Sequence, residues 1–302
     1  MSFTLNQFEV LTLIERKQDD KLTQRDIAKK CNLSLGKTNK VLAELQEMEV
    51  LKVLDDAKYS VTLKGYELLE PYRVKKAIFM AAGFGSRMVP VTLNTPKPLI
   101  KVHGKKLIET LLDAVLDAGI TDITVVRGYL GEQFDLLLKK YPMIKFVENP
   151  IYNEANNISS AYVVRDMLCN AYVLESDLLL YNKDLIRKYE YTSNYLGMYV
   201  DRTDDWCFET RKDYITKVKV GGENVHHMFG ISYWTKEDGE KMEQDIEKVF
   251  KSPGGKERYW DEVPLRECIK NYKVWVRPVN KGDIIEIDTY NELKQIDSIY
   301  NV

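Results

Sequence analysis

The sequence predicts an α/β protein with a mixed, mainly parallel sheet, preceded by a small helical domain. Two observations carry that prediction. From about residue 74 onward, apolar strand-like runs alternate with helix-like periods, whereas residues 1–73 hold three helical periods followed by a strand-turn-strand pattern. Length agrees, since 302 residues exceed one ordinary domain and a 44% hydrophobic content fills ordinary packed cores. The expected division is therefore 1–73 and 74–302.

In the first segment Phe8, Leu11 and Leu13-Ile14 mark one helix, Ile27-Ala28 a second, and Val41, Leu42 and Leu45 a third. Thr23 is placed to cap the second helix, and Ser34 a third running from about Leu35 to Glu49. Val50 to Leu54 and Tyr59 to Leu63 then read as strands about a turn at Asp55 to Lys58. This pattern over residues 3–73, and above all Leu22-Thr23-Gln24-Arg25-Asp26-Ile27-Ala28 followed by Leu33-Ser34, resembles a winged helix-turn-helix. Lys37, Thr38 and Lys40 are candidates to face a DNA groove. Residues 1–73 balance 12 Lys+Arg against 12 Asp+Glu, without the positive excess usual in DNA-binding modules, so a dimerisation or docking module stands as the alternative.

In the second segment strands are expected at Ala77 to Ala81, Asp122 to Arg127, Lys145 to Glu148 and Ala171 to Glu175. Helices are expected near Leu107 to Ala118, Gly131 to Lys140 and Ser159 to Leu168. Such alternation implies parallel strands with helices on both faces, and a ligand beyond the strand C-terminal ends. Other classes fall away. The apolar runs are far shorter than the ~20 residues that cross a bilayer. The first residues lack a secretory pattern, so a cytosolic location is expected. Cys31, Cys169, Cys207 and Cys268 have no metal or redox spacing, and a net charge of -2 exerts no general pull on nucleic acid or an anionic membrane.

The first strand of that segment runs into Ala81-Ala82-Gly83-Phe84-Gly85-Ser86-Arg87, where glycines let backbone N–H groups approach phosphate. Met88 stands where a dinucleotide fingerprint has its third glycine, and no Gly-Lys-Ser/Thr follows, so two common phosphate loops are excluded. The continuation through Asn94-Thr95-Pro96-Lys97-Pro98-Leu99 fixes Arg87 and Lys97 ten residues apart across prolines. Asp177, after Ala171 to Glu175, and Asp288, after Asp283 to Ile287, both follow apolar runs and can sit at strand ends near the ligand.

The span from Ala81 to Lys97 resembles the signature of nucleotidyltransferases that make sugar nucleotides and CDP-alcohols. The resemblance implies that Ala81, Ala82, Gly83, Gly85 and Ser86 hold base and phosphates, and that Arg87 and Lys97 neutralise the triphosphate. It also implies that Asp177 and Asp288 hold Mg²⁺, a cation that prefers carboxylate and phosphate oxygens. A closer resemblance is carried by Asn156-Asn157-Ile158-Ser159-Ser160, Asp201 to Trp206, Phe229 to Trp234, Tyr259-Trp260-Asp261 and Ile285 to Asp288. Over residues 75–297 these are similar to bacterial CTP:phosphocholine cytidylyltransferases, which adds Asn157 and Ser160 to the nucleotide site. The chain departs at Glu175-Ser176-Asp177, where a second acidic residue beside the metal ligand is expected, and in its N-terminal segment.

All four tryptophans lie in the last third of the chain. A quaternary ammonium donates no hydrogen bond and is held by aromatic faces with carboxylates nearby. Trp206, Tyr233, Trp234, Tyr259, Trp260 and Asp261 are therefore the expected acceptor site, while Trp275 reads as core. The reaction implied is transfer of the cytidylyl group of CTP to phosphocholine, with 2-aminoethylphosphonate or phosphoethanolamine as alternative acceptors. A regulator whose transferase domain only senses these ligands is the alternative of another class. The acceptor phosphate, with a second pKa near 6, is already anionic at neutral pH, so no protein base is needed. His103, His226 and His227 read as structural or exposed.

Overall fold

The computed structural model describes residues 3–18, 20–55 and 58–301. It divides into two compact units, Met1–Arg73 with Tyr189–Tyr191, and Val74–Lys188 with Thr192–Val302.

In the first unit α1 (Leu5–Arg16), α2 (Gln24–Lys30) and α3 (Leu35–Glu47) pack around Phe8, Leu11, Ile27, Val41 and Leu45, and β1 (Leu51–Val53) pairs antiparallel with β2 (Tyr59–Val61). Of the turn between these strands, Asp56 and Ala57 lie outside the described residues. Thr23 and Asp26 form a reciprocal capping box on α2, and Ser34 Oγ accepts from Lys37 N at 3.3 Å at the start of α3. The second strand ends sooner than expected because Thr62 Oγ1 accepts from Gly65 N at 3.1 Å and caps a further helix, α4 (Leu63–Leu69). On α3 Lys37 and Lys40 are exposed. Thr38 is not available to a groove: it is fully buried and its hydroxyl donates to Ser34 O at 3.0 Å, closing the first turn.

Tyr189–Tyr191 come from far along the chain to complete this unit. Tyr191 stacks on Tyr72 at 5.5 Å and 7°, lies 5.3 Å from Phe8, and donates its hydroxyl to Phe3 O at 2.8 Å. A fragment ending at Arg73 loses that aromatic packing. Losing a packed aromatic costs about 3–5 kcal/mol, against a total stability of roughly 5–15 kcal/mol. The fragment is expected to lack a cooperative thermal transition at 37 °C by circular dichroism, whereas the full chain retains helical signal.

The second unit contains β3 (Lys76–Ala81), the small hairpin β4 (Lys101–Val102) and β5 (Lys105–Lys106), α5 (Leu107–Asp117), β6 (Asp122–Arg127), β7 (Ile144–Glu148), α6 (Ile158–Val163), β8 (Ala171–Glu175) and β9 (Leu178–Leu180). The ribbon β10 (Asn194–Arg211) and β11 (Tyr214–Trp234), α7 (Lys236–Phe250), β12 (Trp275–Pro278), β13 (Ile284–Glu286) and α8 (Tyr290–Ile296) follow. The main sheet runs β10-β12-β11-β8-β3-β6-β7, with β8, β3, β6 and β7 parallel and β11 antiparallel to β8. Alternation along β3 sends Ala77, Phe79 and Ala81 into one core with Leu111 and Val115 of α5. Ile78 and Met80 face the other, with Met242 of α7 and Trp234.

The expected helix over Gly131 to Lys140 is a 3₁₀ run, Gly131–Lys139, and the one after Ser159 shortens to α6 followed by a single turn at Arg165–Met167. No described helix is long and apolar enough to cross a membrane.

Candidate active site

The loop after β3 is shaped by its own contacts. Gly85 adopts φ +68°, and a Cβ there would lie 3.1 Å from Lys97 Cβ and 3.3 Å from Thr92 Cγ2, so glycine lets the two ends of the loop close. Thr92 Oγ1 donates to Gly85 O at 3.0 Å, and Tyr129 OH donates to Thr92 O and Leu93 O at 2.9 and 3.1 Å. The loop thereby delivers Lys97 inward while Arg87 stays largely exposed at the rim.

The short antiparallel pair β9–β13 sets Leu178 opposite Glu286, which brings the end of β8 beside the end of β13. Asp288 is steadied by the first turn of α8, where Glu292 Oε2 accepts from Asp288 N and Thr289 N, each at 2.8 Å. Lys97 Nζ then bridges Asp177 Oδ2 at 3.0 Å and Asp288 Oδ1 at 2.9 Å, and Arg87 Nη2 reaches the same Asp288 oxygen at 2.9 Å. Burial opposes the charged ammonium, but the two carboxylates outweigh it and hold Lys97 above the ordinary lysine range.

These groups face a cavity of about 580 Å³. Ala81, Ala82, Gly83, Gly85, Arg87, Lys97, Asn157, Ser160 and Asp177 line it together with Asp288, Trp206, Tyr259 and Asp261. Trp206 and Tyr259 touch edge to face at 5.6 Å. Trp206 reaches the cavity because β10 and β11 change register between Thr203 and Trp206, a bulge that re-aims the ribbon. Ser86 opens a single 3₁₀ turn and is not among the lining residues.

Three of the expected acceptor residues are elsewhere. Tyr233, Trp234 and Trp260 are 0–1% exposed. Tyr233 is fixed by pairing of β11 with β8 and packs edge to face on Tyr172; Trp234 donates to Ser232 Oγ at 2.9 Å and packs on Trp260 and Tyr272. Trp234 and Trp260 form core between the sheet and α7, and Tyr233 lies in the core on the α5 side, where large apolar area is best buried. Of the aromatic set, Trp206 and Tyr259 alone line the cavity. Trp275 is half-buried against Tyr214 at 6.3 Å.

Sequence reasoning missed Glu175 and Glu286, which line the cavity with Asp205 and Asp261. A signal for both was present: Glu175-Ser176-Asp177 and Glu286-Ile287-Asp288 repeat an acid-x-acid spacing, which puts both acids of each pair on one side of an extended chain. Oxygens of Asp177, Glu286 and Asp288 lie within 4.8 Å of one another, and Asp177 Oδ1 is buried with no protein partner. Three hard oxygen donors with an unsatisfied lone pair fit a hard divalent cation.

Burial, together with the charges of Asp177 and Asp288, pushes Glu286 well above the usual carboxyl range. Burial with the charges of Asp177 and Asp261 does the same to Glu175. Burial and the neighbouring Glu262 raise Asp261 to about 7. A carboxyl whose folded pKa lies above its unfolded value near 3.8 binds its proton more tightly when folded, so stability is full below pH 4 and is lost as pH rises toward 7. The ligand-free protein is therefore expected to melt at a lower temperature at pH 8 than at pH 5, and Asp261→Asn to flatten that slope in a thermal scan across pH.

Comparison with known proteins identifies the family. The nucleotidyl transferase family model covers residues 76–200, and a winged helix-turn-helix DNA-binding model covers residues 4–52. The chain is 36% identical to a 2-aminoethylphosphonate cytidylyltransferase of Lancefieldella rimae, over 74% of this chain and 92% of the relative. It is 35% identical to a choline-phosphate cytidylyltransferase of Streptococcus pneumoniae, over 74% and 97%. A solved structure of a CTP:phosphocholine cytidylyltransferase from Streptococcus pneumoniae superposes with a TM-score of 0.70 at 33% identity, covering 75% of this chain and 99% of that one. An inositol-1-phosphate CTP transferase from T. maritima, at 17% identity and TM-score 0.59, shares the fold. With its glycine loop, Lys97 and paired strand-end acids in one cavity, the chain belongs to the nucleotidyltransferase family and is an enzyme of that class.

Proposed function

We propose that the enzyme transfers the cytidylyl group of CTP to phosphocholine, giving CDP-choline and pyrophosphate. The observation that carries this reading is a single cavity with two chemically different ends, one built from Gly83, Gly85, Arg87 and Lys97, the other from Trp206, Tyr259 and Asp261. The first suits a triphosphate, the second a cationic alkyl group. The choline-phosphate cytidylyltransferase likeness supports the same pair of substrates. A second reading, with 2-aminoethylphosphonate as acceptor, is favoured by the number of acidic side chains at that end, since Asp205, Asp261 and Glu175 outnumber the two rings. A primary ammonium donates hydrogen bonds to carboxylates; a quaternary one does not.

In the reaction an anionic oxygen of the acceptor forms a bond to the α-phosphorus of CTP, the bond from that phosphorus to the β-phosphate bridging oxygen breaks, and pyrophosphate leaves with both electrons. The acceptor oxygen needs no deprotonation, so the chain's work is alignment and charge neutralisation. Backbone N–H groups of Gly83 and Gly85 approach the phosphates, Lys97 neutralises charge at the reacting end, and the exposed Arg87 meets the departing pyrophosphate. Asp177, Glu286 and Asp288 would hold Mg²⁺, which when bound supplies further neutralisation of the phosphate oxygens. The four free cysteines suit a reducing, cytoplasmic setting. For the N-terminal unit DNA is the proposed partner, through the exposed Lys37 and Lys40 of α3, and its signature is an affinity of the full chain for duplex DNA that falls steeply with salt.

The test is pyrophosphate release with Mg²⁺, crossing CTP, UTP, ATP and GTP against phosphocholine, 2-aminoethylphosphonate, phosphoethanolamine and glucose 1-phosphate. CTP with phosphocholine should give the highest kcat/KM. Dominance of 2-aminoethylphosphonate would establish the second reading, and preference for glucose 1-phosphate would overturn both.

A further inference from the structure

Glu175 ends β8 with its carboxyl in the cavity and is half-buried, and Asp261 lines the same cavity at 8% exposure. Among the described residues neither carboxylate is in an ion pair; Lys97, the cation whose charge acts on Glu175, is committed to Asp177 and Asp288. A carboxylate at such a place, without a cationic partner of its own, is stabilised by a cationic ligand.

The surroundings hold Glu175 in place. Asn157 Nδ2 donates to Glu175 Oε1 at 3.2 Å, while Asn157 Oδ1 accepts from Trp260 N at 2.8 Å, so one amide ties the end of β8 to the turn that carries Tyr259 and Asp261. On the neighbouring strand, a Cβ at Gly230 would lie 2.6 Å from Glu175 Oε2 and 2.7 Å from its Cβ and Cγ. Because the contact reaches the root of the side chain, any residue larger than glycine forces Glu175 out of its position. The aromatic wall at this end consists of Trp206 and Tyr259, in contact edge to face.

We propose that Glu175, with Asp261 beside it, seats the cationic end of the acceptor and selects charged over neutral acceptors, and that Asn157 and Gly230 are positioning residues for that carboxylate. This rests on the reading of the acceptor as a phosphorylated or phosphonylated alkylammonium. It gives Asn157 a task at the acceptor end of the cavity in place of the nucleotide end expected from sequence.

The experiment compares phosphocholine with its neutral isostere, 3,3-dimethylbutyl phosphate, by kcat/KM at saturating CTP and Mg²⁺, and by calorimetric binding of each compound. The wild-type ratio of the two should fall by about tenfold or more in Glu175→Gln and in Gly230→Ala, and by less in Asn157→Ala, as expected for loss of a desolvated charge contact. Gly230→Ala leaves every carboxylate intact and serves if Glu175→Gln fails to fold. An unchanged ratio in both variants overturns the proposal. So does a Glu175→Gln variant that weakens both acceptors equally and raises the Mg²⁺ requirement, which would make Glu175 a metal ligand. If wild-type enzyme releases no pyrophosphate with any acceptor, the transferase reading fails, while the calorimetric ratio still decides the role of Glu175.

Discussion

Replacing Asp177 with asparagine is expected to lower kcat by about 10³ or more while the protein keeps its fold. The side chain serves twice: it is one of three carboxylates whose oxygens lie within 4.8 Å, and it accepts from Lys97 Nζ at 3.0 Å. Losing it weakens the metal site and removes one of the two carboxylates that position Lys97, the lysine that neutralises the phosphates. Several kcal/mol of transition-state stabilisation are at stake, and each 1.36 kcal/mol is a factor of ten. The variant should also need a higher Mg²⁺ concentration for half-maximal rate, with far-ultraviolet circular dichroism unchanged. Rates within tenfold of wild type would remove Asp177 from the reaction.

The second large effect has two signs. Lys97→Met should reduce kcat by about 10²–10³, the usual cost of removing one preorganised charge contact from a transition state. Without nucleotide, however, the same variant should bind a divalent cation more tightly. In the structure the ammonium lies 2.9 Å from Asp288 Oδ1 and 3.0 Å from Asp177 Oδ2, so lysine and metal compete for the same oxygens. Manganese titration followed by electron paramagnetic resonance, on wild type and variant without CTP, reads this directly. Weaker metal binding in the variant would mean that Lys97 supports the cation site and does not compete with it.

What the sequence could reveal of this site followed from how each residue earns its place. Gly83, Gly85, Arg87 and Lys97 were legible because they fall in one short stretch whose spacing is fixed by backbone conformation and prolines. The parallel strands were legible because they are short apolar runs separated by helical periods. Glu286 was harder: it joins Asp177 only through the β9–β13 pairing, a contact between segments about a hundred residues apart. The aromatic residues misled for a related reason. Trp260 stands between two residues that do line the cavity, Tyr233 and Trp234 lie on the same strand as the lining residues Met228 and Gly230, and composition cannot say on which side of a strand or turn a ring falls. Tyr259 and Trp260 are adjacent and face opposite ways, one to the cavity and one to the core. The same limit applies to Tyr189–Tyr191, whose membership in the N-terminal unit depends on a long-range return of the chain that no local pattern announces.

The most direct measurement is ³¹P nuclear magnetic resonance of CTP mixed with phosphocholine, Mg²⁺ and enzyme. The account predicts equal amounts of pyrophosphate and a new unsymmetrical diphosphate, CDP-choline, with both substrates consumed one for one. CMP and pyrophosphate with phosphocholine untouched would show hydrolysis in place of transfer, and CDP with no pyrophosphate would show attack at a different phosphorus; either result would contradict the account.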